Sequence, residues 1–152
     1  IGMGATLVLA LFSGDRVYTA NVGDSRIYRL RNGRLQQFSE DHSVVSELLG
    51  AGQITPEEAA NHIDQGVVTQ YMGMPEAVEP HVRSAALKPG DRFLLCTDGL
   101  TDLVSDEAIA EMLATNPEPQ AACRALVEAA NCAGGSDNVT VIVVVRTGNG
   151  RP

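Results

Sequence analysis

The sequence predicts a β-rich α+β domain, in which antiparallel strands carry a smaller number of helices. Short apolar or alternating runs divided by turn signals fill the first 38 residues. The middle has a helical pattern, and the last third combines buried strand runs with two amphipathic helices. With 152 residues, of which 44% are hydrophobic and 20% charged, the chain fits one ordinary globular domain.

Four strands are expected at the start of the chain. Residues 5–12 form a continuous apolar run, and residues 16–22 and 26–30 alternate in character. Asn32-Gly33 is a typical hairpin turn, and it leads into residues 34–38. Because each run follows the previous one after a short turn, we expect a meander of four neighbouring antiparallel strands.

The middle of the chain is interpreted as a helical insertion, residues 39–75, between two β regions. Residues 43–49 predict a short helix that Gly50 and Gly52 stop. Thr55-Pro56-Glu57-Glu58 has the pattern of a capping box, with proline at the first helical position. A second helix is therefore expected to begin at Pro56.

The remaining elements alternate between strands and helices. Residues 80–87 predict an edge strand and residues 92–96 a core strand, and helices are expected over 105–114 and 119–132. Residues 139–146 are nearly all valine and isoleucine, which favours the centre of a sheet. The end, residues 147–152, is expected to be a frayed tail.

Three aspartates stand at the ends of expected strands. Asp24 lies in NVGDSR, Asp98 in CTDGL and Asp137 in GGSDN. Each alone is also an ordinary turn residue. Carboxylates held rigidly at strand ends suit hard divalent cations, which prefer several oxygen ligands. The pattern therefore predicts a carboxylate metal site. A structural Ca²⁺-binding β-domain is disfavoured, because no DxDxDG loop is found.

Composition excludes several other classes. A formal charge of −8 disfavours nucleic acid as a partner. No apolar stretch approaches the roughly 18 residues of a membrane span. The three cysteines, Cys96, Cys123 and Cys132, form no CxxC pair, which argues against a disulfide framework or a zinc site. They favour a reducing compartment, and we expect a cytoplasmic protein.

Five blocks occur in an order that resembles bacterial metal-dependent protein phosphatases of type 2C: GMGAT, NVGDSRIY, ITPEEA, LKPGDRFLLCTDGLTDLVSDE and GGSDNVTVIVV. The resemblance covers residues 2–146. It implies a sandwich of two antiparallel sheets flanked by helices. It also implies hydrolysis of phosphoserine and phosphothreonine in proteins by metal-activated water, with no separate catalytic nucleophile. The implied substrates are phosphoproteins made by a serine/threonine kinase.

The resemblance assigns roles to individual residues. Two core ions, Mg²⁺ or Mn²⁺, are implied, with a third and weaker one. Asp98 and Asp137 match ligands of the second core metal, and Asp24 with Asp98 matches those of the third. Residues 39–75 match the flap beside the active site, which makes His42 and His62 the candidates to contact substrate.

Other carboxylates receive ordinary interpretations, and one distance is predicted. Asp102 is interpreted as a loop carboxylate and Asp106 as a residue of a helix first turn, favoured by the helix dipole. The carboxylates of Asp98 and Asp137 are expected within about 5–6 Å of each other, close enough for one divalent ion.

One departure from the family pattern affects the functional prediction. The DGMGG-type block, whose aspartate bridges the two core metals, does not precede Gly2, and no arginine precedes Arg16. Residues 1–147 are therefore expected to be the C-terminal portion of a phosphatase catalytic domain, incomplete at its N-terminus. Such a piece should pair with the missing segment or with another copy. The alternative is a non-catalytic phosphatase-like interaction module or an inactive truncated fragment.

Overall fold

The computed structural model describes residues 2–148, which form seven strands and five helices. The strands are β1 (Leu7–Ser13), β2 (Arg16–Val22), β3 (Arg26–Arg31), β4 (Arg34–Gln37), β5 (His81–Ala86), β6 (Arg92–Cys96) and β7 (Val141–Val145). The helices are α1 (Val44–Gly50), α2 (Pro56–Ala59), α3 (Asp98–Thr101), α4 (Asp106–Thr115) and α5 (Pro119–Cys132). Of the expected tail, residues 149–152 lie outside the described part.

The strands form two antiparallel sheets, which confirms the predicted α+β sandwich. One sheet has the order β1-β2-β5 and the other the order β4-β3-β6-β7. Val17 from the first sheet packs with Ile27 and Phe93 from the second and with Phe38, which follows β4, so this cluster fills the space between the sheets. A second core lies on the outer face of the four-stranded sheet, where Leu94 packs with residues of α4 and α5.

The expected four-strand meander is wrong, because β2 and β3 belong to different sheets. β1 pairs with β2 and β3 pairs with β4, so the chain forms two hairpins. Residues 23–25 carry the chain from one sheet to the other, and Gly23 has a positive φ of 99°. Turn residues indicate where a strand ends, but not whether the next strand pairs with it.

The expectation that the last strand lies at the centre of a sheet is also wrong. β7 pairs with β6 and ends the order of the four-stranded sheet among residues 2–148. Val143 is buried in the core under the helices, and Val144 packs between the sheets. Ile142 is 54% exposed, so the apolar sequence of β7 is only partly explained by burial, and packing on two faces does not require a neighbouring strand on both sides.

The helices that were predicted from capping residues and from apolar periodicity are confirmed. α2 begins at Pro56 behind a complete capping box, with both the Thr55 and the Glu58 hydrogen bonds present. α4 and α5 occupy the two predicted spans near the end of the chain. Within residues 2–148, no helix has the length and apolar character needed to cross a bilayer.

Strand pairing sets two distinct ends of the sandwich. At one end, the start of β3 pairs with the end of β6, which pairs with the start of β7; we call this the carboxylate end. At the other, the β1–β2 and β3–β4 hairpins lie near the β5–β6 connection, where Arg31 Nη2 donates to the Ala86 carbonyl oxygen at 2.8 Å. This is the hairpin end.

Candidate metal centre

Two loops at the carboxylate end are joined by hydrogen bonds. Thr97, which caps α3, donates its backbone N–H to the Thr140 carbonyl oxygen at 3.1 Å. Its hydroxyl donates to the Asn138 carbonyl oxygen at 3.2 Å and accepts from the Thr140 N–H at 3.0 Å. The loop that carries Asp98 and the loop that carries Asp137 are therefore held side by side.

Gly99 allows the closest approach of these loops. A Cβ on Gly99 would lie 2.5 Å from the Asn138 carbonyl oxygen and 3.4 Å from the Asp137 carbonyl carbon. Asp98 Oδ1 accepts from the Gly99 N–H at 2.9 Å, and Asp137 Oδ1 accepts from the Asn138 N–H at 2.6 Å. These bonds orient the two carboxylates, whose separation of about 5–6 Å stays a prediction.

Asp24 reaches the same end from the connection between β2 and β3. The Asp24 carboxyl is partly buried, and its pKa is raised by that burial and then by the negative charge of Asp98. Asp41 and Asp102 raise it further, while a backbone hydrogen bond opposes the shift. Asp24 therefore lies within electrostatic range of Asp98, as its place in the sequence indicates.

The interpretation of Asp102 as an ordinary loop carboxylate needs correction. Asp102 is the C-cap of α3 and donates its N–H to the Asp98 carbonyl oxygen at 2.9 Å. Its pKa is raised by burial, then by Asp98, with further contributions from Asp137 and Asp41 against an opposing one from Arg26. Residues four apart on a helix are neighbours, so a prediction of the short helix α3 would have placed Asp102 beside Asp98.

The acidic cluster, defined as Asp24, Asp98, Asp102 and Asp137, has little positive charge beside it. Arg26 is the nearby cation, and it is engaged with Asp41 at 2.8 Å through Nε and 2.7 Å through Nη2. Arg26 also donates to the Tyr28 hydroxyl at 3.0 Å. Arg26 is therefore an ion-pairing residue of this end of the sandwich.

The cluster fits a divalent ion in donor chemistry but does not form a complete cage. Carboxylate oxygens are the ligands that Mg²⁺ and Mn²⁺ prefer, and the mutual repulsion of the aspartates would fall on binding a cation. Within the described residues, however, no three or more His, Cys, Asp or Glu side chains are arranged to hold an ion. The aspartates present therefore suit part of a metal site.

A groove of about 320 Å³ opens beside the acidic cluster. Asp24, Asp98 and Asp102 form one side of it. Residues from the 39–75 region also line it, among them Val45, Ser46 and Leu49 at α1 and Gln65 and Gly66 further along. The predicted flap region therefore forms a wall of this groove.

The two candidate flap histidines lie elsewhere. His42 donates its N–H to the Gly23 carbonyl oxygen at 3.0 Å and accepts from the Gly23 N–H through Nδ1 at 3.3 Å. His62 accepts from the Asp64 N–H at 3.2 Å. Neither lines the groove, so a contact of either one with substrate stays a prediction.

Cys96 offers no alternative nucleophile. It is buried at the end of β6, and burial raises the pKa of its thiol to about 12. The thiol is therefore protonated at neutral pH and packs as a small hydrophobic residue.

Comparison with known proteins decides the family. The profile of protein phosphatase 2C matches residues 2–131 of the chain. The chain belongs to the protein phosphatase 2C family. The serine/threonine protein phosphatase PstP of Mycobacterium tuberculosis is 45% identical over 142 residues, which are 93% of this chain and 27% of PstP. The protein phosphatase PhpP of Streptococcus pneumoniae is 42% identical over 144 residues, which are 94% of this chain and 58% of PhpP.

Solved structures agree with this membership in the protein phosphatase 2C family. A crystal structure of the M. tuberculosis phosphatase PstP matches with a TM-score of 0.90 and 42% identity, over 95% of this chain and 61% of that one. A PstP catalytic domain in complex with two manganese ions matches with a TM-score of 0.82 and 43% identity, over 92% of this chain and 57% of that one. The chain thus spans less than two thirds of these relatives.

Proposed function

We propose that this chain is part of the catalytic domain of a metal-dependent protein phosphatase that hydrolyses phosphoserine and phosphothreonine in proteins. The observation that carries the proposal is the acidic cluster, which lies beside an open groove in a member of the protein phosphatase 2C family. Mn²⁺ is the favoured cofactor, because one solved relative contains two manganese ions. Mg²⁺ has the same preference for carboxylate oxygen.

The aspartates have separate roles in this proposal. Asp98 and Asp137 hold a core ion, and Asp24 with Asp98 holds a third and weaker one. When bound, such ions lower the pKa of coordinated water and supply the nucleophile for attack on phosphorus. Asp102 adds negative charge beside Asp98, which favours cation binding at the same place.

Metal dependence follows from the charge of the groove. Several carboxylates face it, so a phosphate dianion is repelled until cations neutralise them. Val45 and Leu49 also line the groove and offer apolar contacts to the peptide around a phosphorylated residue. A phosphoprotein made by a serine/threonine kinase is therefore the proposed substrate.

A further segment of the phosphatase domain is proposed to cover the outer face of the three-stranded sheet. That face exposes Leu7, Leu9 and Leu11 from β1, and Tyr18 and Val82 from its neighbours. Exposed apolar patches mark surfaces that bind other protein segments. The greater length of the relatives supports such a segment, which would also complete the metal cage. Self-association through β1 is the alternative way to cover this face.

The incomplete cage favours a second candidate function. A phosphatase-like module that binds partners without catalysis would also keep the groove while holding metal weakly. The three cysteines are free within the described structure, which supports a reducing compartment, and we propose the cytoplasm for either function.

The deciding experiment measures Mn²⁺-dependent hydrolysis of a phosphothreonine peptide. We expect little turnover by residues 1–152 alone, and restored turnover when the corresponding N-terminal segment of a relative such as PhpP is supplied in trans. Titration calorimetry should show Mn²⁺ affinity rising with the same addition. Metal-independent turnover, or no turnover although the complemented protein binds Mn²⁺ tightly, would reject the phosphatase proposal.

A further inference from the structure

Positive charge is concentrated at the hairpin end, opposite the acidic cluster. Most of the 11 lysines and arginines of this chain, whose formal charge is −8, flank the turns there or lie on the strands that lead to it. They are Arg16, Arg29, Arg31, Arg34, Arg83, Lys88, Arg92 and Arg146. Asp15 and Asp91 lie at the same end, so the positive charge there is only partly offset.

Three of these side chains form a defined pocket. Arg29, Arg31 and Arg34, here called the arginine cluster, line a surface pocket of about 410 Å³ at the β3–β4 hairpin. The other lining residues are Asn32 and Gln36, which are uncharged amides. Of the residues that the structure describes, no carboxylate lines this pocket, so its wall offers mainly hydrogen-bond donors.

The charge of the arginine cluster is only partly neutralised. Asp91 is fully buried and accepts from Arg31 through both carboxylate oxygens at 2.6 Å, and from the Lys88 N–H at 2.8 Å. Both carboxylate oxygens of Asp91 are thus engaged by Arg31, and Asp91 is not available to neutralise Arg29 or Arg34. Among the described ion pairs, neither Arg29 nor Arg34 has a carboxylate partner. The cluster therefore keeps net positive charge.

Arg29 is held in place without having its charge satisfied. Its Nη2 donates to Gln36 Oε1 at 2.8 Å, while its buried Nε finds no hydrogen-bond partner in the described part of the chain. Arg29 and Arg83 both stack on the ring of Phe38, with Cζ atoms 4.6 and 4.2 Å from the centroid. Burial, and then the charge of Arg31, lower the pKa of Arg29, while Asp91 opposes the shift, so a bound anion would favour the charged form of Arg29.

We propose that the arginine cluster is a docking site for an acidic or phosphorylated segment of the protein substrate, separate from the acidic groove. The proposal rests on the phosphatase function proposed above. Guanidinium groups recognise carboxylate and phosphate through paired hydrogen bonds, and a preorganised arginine loses little entropy on binding. An acidic protein also gains from a local positive field, because its overall charge repels anionic substrates.

The position of the cluster sets the kind of substrate it fits. Arg26, which lines the groove, and Arg31, which lines the cluster pocket, are the two ends of β3, and their backbone positions are about 17 Å apart at 3.3 Å per residue. An extended peptide needs at least about five residues to cover this distance. We therefore expect preference for substrates with acidic or phosphorylated residues five or more positions from the hydrolysed one.

A binding experiment tests the site without any need for catalysis. The probe is a labelled peptide with threonine at the target position and glutamates five and six residues away, compared with a glutamine version by fluorescence anisotropy at low salt. Arg34→Glu should weaken binding of the acidic peptide about tenfold, because it reverses one solvent-screened charge. Arg34 is exposed and forms no ion pair with any of residues 2–148, so the variant should fold.

Matched control variants test whether the position of the reversed charge, and not the change in net charge, weakens binding. Arg124→Glu makes the same change on the exposed face of α5 and should leave the Kd unchanged. Arg34→Gln, which only removes the charge, should weaken binding about threefold. Equal loss from Arg34→Glu and Arg124→Glu, or equal binding of the acidic and glutamine peptides, would overturn the proposal. So would inorganic phosphate or single-stranded nucleic acid binding the cluster as tightly as the acidic peptide.

A kinetic measurement separates this proposal from the phosphatase proposal. In the protein complemented for activity, Arg34→Glu should raise KM for an acidic phosphothreonine peptide about tenfold, leave kcat unchanged and leave hydrolysis of a small aryl phosphate unchanged. Unchanged KM with normal hydrolysis would reject the docking site alone. Absent hydrolysis of every ester, with charge-dependent peptide binding retained, would reject the phosphatase function alone.

Discussion

Gly99 lies against the main chain of Asn138, so closely that a Cβ on Gly99 would be 2.5 Å from the Asn138 carbonyl oxygen. The residues that precede each of them, Asp98 and Asp137, are the two proposed ligands of one core metal. The absence of a side chain at position 99 therefore permits the close approach of the two loops that carry these proposed ligands.

Gly99→Ala should damage metal binding and stability together. The obstructing atom belongs to the backbone, so the two loops must move apart, and overpacking of this kind costs about 1–3 kcal/mol. Urea denaturation should show that loss, and calorimetry should show weaker Mn²⁺ binding. Gly50→Ala is the control, because a Cβ there meets no atom within 4 Å. Equal Mn²⁺ affinity in the two variants would contradict the proposed role of this contact.

The acidic residues should differ in their importance for catalysis. Asp98→Asn should reduce hydrolysis of a phosphothreonine peptide far more than Asp24→Asn, because Asp98 is proposed to serve two metals and Asp24 only the weaker one. Rates measured in excess Mn²⁺ in the complemented protein test this order. Asp106→Asn, in the first turn of α4, is the control. If Asp98→Asn has the wild-type rate, the metal assignment is wrong.

Asp102→Asn should have opposite effects on stability and on metal binding. Asp98 and Asp137 repel the Asp102 carboxylate, so its removal should stabilise the metal-free protein by roughly 0.5 kcal/mol, a value kept small by solvent screening. Mn²⁺ binding should weaken for the same electrostatic reason. Denaturation at low and high ionic strength checks the first effect, which should shrink with salt. A loss of metal-free stability at low ionic strength would show that Asp102 is not under repulsion.

Local signals predicted local structure well. The Asn32-Gly33 turn, with Asn32 at a positive φ of 52°, joins β3 to β4 as expected. The capping box at Thr55 starts α2 because two hydrogen bonds satisfy backbone groups that a helix start leaves open. Such features depend on a few adjacent residues, so the sequence contains all the information that they need.

Relations between distant residues could not be predicted in this way. The change of sheet at Gly23 and the edge position of β7 depend on which strands find each other in space. Asp102 was missed because α3 is only four residues long and has no side-chain cap. The stacking of Arg29 and Arg83 on Phe38 joins three elements, and no spacing in the sequence indicates it.

Asp91 should make the stability of the fold depend on pH. Although burial alone would raise the pKa of this carboxyl, the hydrogen bonds and charge of Arg31 and the Lys88 N–H lower it overall below the ordinary value of 3.8. A carboxylate with a lowered folded-state pKa contributes stability above its unfolded pKa, and that stability is lost as the pH falls through the folded pKa.

Asp91→Asn should therefore be destabilising at neutral pH and nearly harmless in acid. Removing the buried partner of Arg31 should cost about 2–4 kcal/mol at pH 7. The difference from wild type should stay constant down to about pH 5 and shrink below about pH 4. Urea denaturation of both proteins from pH 7 to below about pH 4 measures this difference in the free energy of unfolding. Asp15→Asn is an exposed control from the same end of the sandwich. A difference that stays constant through the acid range would show that the charge of Asp91 is not what stabilises the β5–β6 connection.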